Sequence, residues 1–165
     1  MRKEEFKMLQ QKNGWGCGVY AVANALGMED FVSEERLEAS RENGNNLMQL
    51  NKWLLDDGVK YQIMPLYYRN GVQFRTPKTG LYFDANDNFL YYPVLVTLHV
   101  PRCPKNHMIA IRFYYDMTIT VLDSCEPIPQ NYLLWEDVRG LYRNIISLNG
   151  FMSFTGENVY FEKIT

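Results

Sequence analysis

The chain has 165 residues, of which 47% are hydrophobic and 22% are charged, and this composition excludes a disordered protein. Its net charge is -2 and its 17 basic residues are scattered along the sequence, which argues against a nucleic-acid partner. Residues 1–11 lack the apolar core of a secretory signal, no apolar run is long enough to span a membrane, and three cysteines make no complete disulfide framework. We therefore expect a single cytoplasmic domain over residues 1–165, without a cofactor.

The stretch from Gln11 to Leu26 changes from a polar loop broken by glycines into an apolar run of helical length. No strong helix breaker occurs in this run before Gly27, which can close the helix. Cys17 should therefore lie in the first turn of a helix that is buried on most faces. A helix N-terminus carries a partial positive charge and unpaired N–H groups, which favour a thiolate. Free cysteines are usually inert packing residues, so this position becomes meaningful only together with other polar residues.

Two further helices are predicted after the first. Ser33 can cap a largely polar helix that runs to about Arg41. Asn46 can cap the next helix, with Gln49 as its capping-box partner, and Gly58 can end it. The apolar residues of this third helix share one face and are expected to pack into the core: Leu47, Leu50, Trp53 and Leu54.

The remainder of the chain predicts mainly short strands. They are expected at residues 59–64, 81–83, 89–92, 94–100, 107–114, 117–122, 144–148, 151–154 and 159–164. We expect a long loop or loose hairpin over 67–80, a plain hairpin turn rather than a calcium loop at 84–88, a helix over 131–142 and a turn at Asn149-Gly150. Helices followed by mostly antiparallel strands predict an α+β fold.

A candidate nucleophilic site can be assembled around Cys17. A thiol nucleophile needs a base, and the base needs an orienting group. His107 begins one strand and Asp123 ends the next, so a tight hairpin would place both at the same end of adjacent strands. The backbone N–H of Cys17 is one donor for an oxyanion, and the side-chain amide of Gln11 is the candidate second donor, with Gln10 as the fallback.

These residues give the chain a family resemblance. A Gln stands six positions before a Cys-Gly pair and a small-residue helix, a His opens a hydrophobic strand, and an Asp follows the next strand. This pattern resembles the papain-like cysteine peptidases, most of all the branch that removes double-glycine leaders from bacteriocin precursors. Two positions depart from the family pattern: Ser124, where the family usually has Pro, and Gly16, where it often has an acidic or polar residue.

The resemblance implies an N-terminal helical part whose nucleophile helix packs on a mainly antiparallel sheet. It also implies roles for four residues: oxyanion donor for Gln11, nucleophile for Cys17, base and acid for His107, and orienting group for Asp123. The expected reaction is hydrolysis of a peptide bond in a peptide or protein substrate. Acyl transfer and deamidation of glutamine use the same residues and stay open as alternatives.

Two other interpretations stay open. The fold could be catalytically silent and serve as a structural or assembly protein, for example in a phage virion. The second interpretation is a zinc site in a loop, because two imidazoles and two thiols are a known zinc ligand set and could come from His99, Cys103, His107 and Cys125. We expect no metal at these positions. We expect His99, late in an apolar strand, to be a packed or hydrogen-bonded core residue.

Overall fold

The computed structural model describes residues 8–42, 44–68, 92–99, 106–113, 119–127, 129–133, 137 and 145–153. Within these ranges the chain forms three α-helices and one antiparallel sheet, and the fold class is α+β, as predicted. The helices are α1 (Cys17–Leu26), α2 (Glu34–Ser40) and α3 (Leu47–Asp56), with a 3-10 turn at Glu29–Phe31. The strands are β1 (Tyr61–Tyr68), β2 (Tyr92–Leu98), β3 (His107–Phe113), β4 (Ile119–Leu122), β5 (Gln130–Leu133) and β6 (Ile145–Ser153).

The six strands lie in the order β1-β6-β2-β3-β4-β5, and every neighbouring pair is antiparallel. The last strand along the chain, β6, therefore inserts between β1 and β2. Helix α1 packs mainly against β3 and also against β2, whereas α3 packs against β1. Helix α1 begins at Cys17 and strand β3 begins at His107, two residues of the candidate site.

Helix α1 begins and ends at the predicted residues, and it is buried along almost its whole length. An apolar run without a polar face is typical of a helix that is covered on all sides. Gly27 closes the helix in the left-handed conformation, with φ of 68°. Gly16 at the N-cap is also left-handed, with φ of 86°, and a Cβ added there would lie 2.6 Å from Leu37 Cδ2. A glycine at position 16 is therefore favoured by both the backbone and the available space.

The predicted caps of α2 and α3 are present. Ser33 Oγ accepts a hydrogen bond from the Arg36 N–H at 3.2 Å, and Asn46 Oδ1 accepts one from the Gln49 N–H at 2.8 Å. The reciprocal half of the predicted capping box is different, because Gln49 Oε1 accepts from the side-chain amide of Asn45 at 3.1 Å. That amide also donates to Ser40 Oγ at 2.7 Å, so the loop before α3 is fastened to α2.

The apolar face predicted for α3 packs into the core. Leu50 and Leu54 are fully buried, and Leu47 and Trp53 are partly buried against the same cluster. This cluster joins α1 to the sheet through buried residues of β1, β2, β3, β4 and β6, among them Ile63, Leu95, Ala110, Leu122 and Phe151.

The prediction of a loop from residue 67 was wrong at its start, because β1 continues through Pro65 to Tyr68. Proline lacks the N–H that a central strand needs. Among the strands that the structure describes, however, β1 lies at the end of the sheet and pairs with β6, and the register of this pair shifts between Pro65 and Tyr67. Edge strands and bulges are the places where a sheet tolerates proline.

Two more predictions were wrong in the second half of the chain. The helix predicted over 131–142 was wrong at its start, because Gln130–Leu133 is a strand that pairs with β4; Asp137 is helical, and the other residues from 134 to 142 lie outside the described part of the chain. The predicted turn at Asn149-Gly150 lies inside β6, where Gly150 pairs with Met64 of β1 and with Val94 of β2. In both cases pairing with another strand decides the conformation and overrides the local signal.

His99 also differs from its prediction, because it is exposed and not a core residue. The ladder between β2 and β3 ends at the pair Leu98–His107, so His99 extends beyond the last paired residue. The predicted strands at 81–83 and 159–164, the turn at 84–88 and most of 67–80 lie outside the described residues. In the described part of the chain, no helix has the length and apolar character needed to cross a bilayer.

Candidate active site

His107 and Asp123 meet at one end of the β3–β4 hairpin. The strands pair in a register that places Ala110 opposite Leu122, so the first residue of β3 and the residue after β4 come close together. His107 Nε2 lies 2.8 Å from Asp123 Oδ1, and the two side chains are only 2% and 1% exposed. The contact predicted from the sequence is therefore present, and the carboxylate fixes the imidazole ring in a buried setting.

Two opposing effects act on the charge of the His107 ring. Burial disfavours the charged imidazolium and by itself lowers the pKa of His107. Hydrogen bonds to the side chains of Asp123, Cys125 and Cys17, together with the negative charge of Asp123, raise it more strongly, and the pKa of His107 moves from 6.5 to about 12. The neighbouring carboxylate and the two cysteine side chains therefore favour the charged form of the ring.

Cys17 is the first residue of α1, and its thiol is partly accessible to solvent. Its sulfur lies 4.0 Å from the backbone oxygen of Asn106, the residue before His107, and its side chain also reaches the His107 ring. Gly16 offers no side-chain cap to the helix. The N–H groups of the first turn have no carbonyl partner inside the helix, so they can serve a negatively charged group near the sulfur.

Gln11 contacts both the loop before Cys17 and the residue that follows Asp123. Its backbone N–H donates to the Ser124 carbonyl at 2.6 Å, and its side-chain oxygen accepts from Ser124 Oγ at 2.8 Å. Its side-chain nitrogen donates to the carbonyl oxygens of Asn13 and Trp15 at 2.7 and 3.1 Å. Gln11 therefore holds the loop before Cys17 and ties it to the end of β4. The fallback residue Gln10 is exposed.

Two sets of buried hydrogen bonds fasten the elements that carry these residues. Arg112 of β3 donates to the carbonyl oxygens of Asn24 and Ala25 near the end of α1, at 3.1 and 2.6 Å. The Asn24 side chain binds both the N–H and the carbonyl of Leu9, at 2.8 and 3.1 Å. Helix α1, strand β3 and the segment around Gln11 are thus attached to each other at a second point, away from the site.

From the sequence, Cys125 was grouped with His107 only in the alternative zinc set and not with the candidate nucleophilic site. Its backbone N–H donates to Asp123 Oδ1 at 3.0 Å, and its sulfur lies 3.6 Å from Gln11 Oε1. The hairpin register could have revealed it, because continuing the ladder from Ala110–Leu122 by three residues places position 107 opposite position 125. Ser124 likewise follows from this register, and its hydroxyl supplies the bond to Gln11 that a proline could not make.

The zinc set considered from the sequence can be followed only in part. His99 is exposed beyond the end of β2, and Cys103 lies outside the described residues. Among the residues that the structure describes, the group whose possible ligand atoms lie close together consists of His107, Asp123 and Cys125.

No protein-family model and no curated protein matches this chain. The chemistry of the site itself must therefore carry any functional proposal.

Proposed function

We propose that the protein is a cysteine peptidase with a papain-like arrangement, in which Cys17, His107 and Asp123 form the catalytic triad. The observation that carries this proposal is the position of the Cys17 thiol. It lies at the start of a buried helix, beside an imidazole that a buried carboxylate orients at 2.8 Å. Thiol-dependent acyl chemistry requires a nucleophile, a base beside it and a group that orients the base.

The first half of the reaction uses the charged form of His107. The cationic ring favours the thiolate form of a neighbouring cysteine. The Cys17 sulfur attacks the carbonyl carbon of the scissile peptide bond, and the electron pair of the carbonyl moves onto oxygen. When the C–N bond breaks, the imidazolium of His107 gives its proton to the leaving amine, and an acyl thioester remains on Cys17.

The second half of the reaction regenerates the thiol site. The neutral imidazole of His107 takes a proton from water, whose oxygen attacks the thioester carbon. The C–S bond then breaks, the carboxylic acid product leaves, and Cys17 returns as a thiolate beside the imidazolium. Asp123 keeps the ring in place through both steps, because its carboxylate is bound to Nε2 and is itself held by the Cys125 N–H.

The N–H groups at the start of α1 can stabilise the negative oxygen of the intermediate, with the N–H of Cys17 nearest to the reacting sulfur. Gln11 is the proposed second donor. Both hydrogens of its amide already bind carbonyl oxygens of the loop, so donation to a substrate requires that one of these bonds be exchanged. The loop bonds of Gln11 also fix the path of the chain into Cys17.

Acyl transfer and glutamine deamidation begin with the same attack and differ only in the acceptor or the leaving group. We favour hydrolysis because the pattern of residues resembles peptidases. The experiment is to incubate the protein with a mixture of peptides from a digested bacterial proteome and to identify new termini by mass spectrometry. A cleavage sequence found in this way would also define the substrate class.

Cys17→Ala should reduce cleavage by at least about 10³-fold, because the nucleophile is lost. Cys103→Ala, which also removes one cysteine, should cleave like the wild type. Undiminished cleavage by the Cys17 variant would show that another group does the chemistry. Absence of cleavage by a folded wild-type protein would instead favour the assembly interpretation.

A further inference from the structure

The proposed peptidase mechanism leaves one reactive group in the site without a chemical role, and that group is the thiol of Cys125. A nitrogen of His107, a carboxylate oxygen of Asp123 and the sulfur of Cys125 all lie within 4.8 Å of one another. Cys125 is exposed whereas His107 and Asp123 are buried, so the sulfur forms the solvent side of this cluster.

The cluster is held in place by the backbone around it. The Cys125 N–H donates to Asp123 Oδ1 at 3.0 Å, and the Glu126 N–H donates to the Asp123 carbonyl at 2.9 Å, which closes a tight turn after β4. The Cys125 sulfur also approaches Gln11 Oε1 at 3.6 Å. The three donor groups therefore converge without any rearrangement of the strands.

One imidazole, one carboxylate and one thiol form a ligand set that suits zinc. Calcium and magnesium prefer oxygen ligands, whereas Zn²⁺ combines sulfur, nitrogen and oxygen at about 2.0–2.3 Å. Ligand atoms around such an ion are separated by about 3–4 Å. The three donors lie within 4.8 Å of one another, so the sulfur must approach slightly, whereas the His107 and Asp123 atoms at 2.8 Å must move slightly apart.

We propose that His107, Asp123 and Cys125 form a binding site for Zn²⁺, and that the bound ion reversibly blocks the thiol site. In the resting site a proton joins His107 Nε2 to Asp123 Oδ1. Zinc takes the place of that proton, which is released to solvent together with the thiol proton of Cys125. The ring keeps its other proton on Nδ1, but with Nε2 bound to the ion it can no longer form the imidazolium that gives a proton to the leaving amine, so zinc binding and peptide hydrolysis exclude one another.

Only the inhibitory consequence depends on the proposed peptidase function; zinc binding itself is independent of it. Binding is measured on the full chain, reduced and stripped with a chelator, by equilibrium dialysis against Zn²⁺ with metal analysis. Co²⁺ is a second probe, because a thiolate ligand gives a sulfur-to-cobalt charge-transfer absorption in the near ultraviolet. We expect one Zn²⁺ per chain and this absorption in the wild type.

Three variants separate the possibilities. Cys125→Ser should weaken Zn²⁺ binding at least about tenfold and abolish the cobalt absorption, since it removes the sulfur ligand. Cys103→Ser, which also removes one cysteine, should bind zinc like the wild type. Cys17→Ala should still bind Zn²⁺, which keeps the zinc proposal testable even if the chain hydrolyses no peptide. Near-ultraviolet circular dichroism confirms that each variant is folded.

If hydrolysis is observed, micromolar Zn²⁺ should stop it, a chelator should restore it, and Cys125→Ser should need at least about tenfold more zinc for the same inhibition. Wild-type protein that binds no stoichiometric zinc would overturn the proposal. So would a folded Cys125→Ser variant that binds zinc as tightly as the wild type, or a Cys103→Ser variant that alone loses binding.

Discussion

The buried pair of His107 and Asp123 is the chemically most demanding feature of this molecule. Two groups that carry opposite charges are almost completely removed from water at a distance of 2.8 Å. Such a pair stabilises a fold only when both partners are present, because either one alone would be an uncompensated buried charge. In a catalytic site this arrangement would be useful, because the carboxylate fixes the orientation of the imidazole ring and the position of its proton.

The first prediction concerns this pair and its dependence on pH. Asp123→Asn keeps the shape of the side chain but removes its charge, and it should lower the free energy of unfolding by about 3 kcal/mol near neutral pH. The folded-state pKa of His107 is raised from 6.5 to about 12, so its stabilisation is complete below pH 6.5 and is lost as the pH rises toward 12. The difference between wild type and variant should therefore shrink between pH 6.5 and pH 10.

Chemical denaturation at several pH values, with a chelator present, measures this difference. Asp57→Asn is the control, because Asp57 forms a more exposed pair with Arg36 at 2.7 Å. The hydrogen bond from Arg36 holds the pKa of Asp57 below 3.8, so its contribution is lost only as the pH falls through that lower value. The control should lose no more than about 1 kcal/mol, unchanged from pH 6.5 to 10. An Asp123→Asn effect that is equally flat would contradict the assignment of charge to His107.

At the scale of single elements, the start of α1 determines the position of the Cys17 sulfur. The helix has no side-chain cap, and its entry depends on a left-handed Gly16 packed against Leu37. The loop before it is held by the amide of Gln11. The position of the Cys17 sulfur therefore depends on the left-handed backbone at Gly16 and on the hydrogen bonds of the Gln11 side chain.

Gly16→Ala tests this dependence. An alanine would be strained at φ of 86° and would press on Leu37 Cδ2 at 2.6 Å. We expect a loss of about 1–3 kcal/mol in unfolding free energy, and slower alkylation of Cys17 because the sulfur is displaced. Gly14→Ala is the matched control two residues earlier, where a Cβ would meet nothing within 4 Å. Equal stability of the two variants would show that the left-handed turn at Gly16 is not required.

The elements also show what local sequence signals can and cannot predict. The caps at Ser33 and Asn46 and the closing Gly27 were correctly predicted, because helix ends are specified by residues a few positions apart. The start of the loop predicted from residue 67, the turn predicted at Asn149-Gly150 and the start of the helix predicted from residue 131 were wrong. The conformation of these segments is determined by pairing with other strands, and a short local pattern carries little information about such pairing.

For the whole molecule, the convergence of three distant residues is the main result. Cys17 comes from the helical part, whereas His107 and Asp123 come from the sheet. Arg112 joins the two parts through its hydrogen bonds to carbonyl oxygens near the end of α1. The meeting of His107 with Asp123 could be predicted from hairpin register. The approach of Cys17 to this pair could be expected only through the family resemblance, because helix-to-sheet packing has no short-range signal. The same register places Cys125 opposite His107, although the sequence had suggested this neighbour only as part of the alternative zinc set.

The most direct test of the account is the rate at which iodoacetamide alkylates Cys17 at pH 6, with the modified residue identified by peptide mass spectrometry. If Cys17, His107 and Asp123 act as one unit, the wild type should react at least about tenfold faster than a folded His107→Asn variant, because the cationic ring favours the reactive thiolate. Equal rates in the two proteins would mean that the imidazole does not activate the sulfur, and they would contradict the proposed triad.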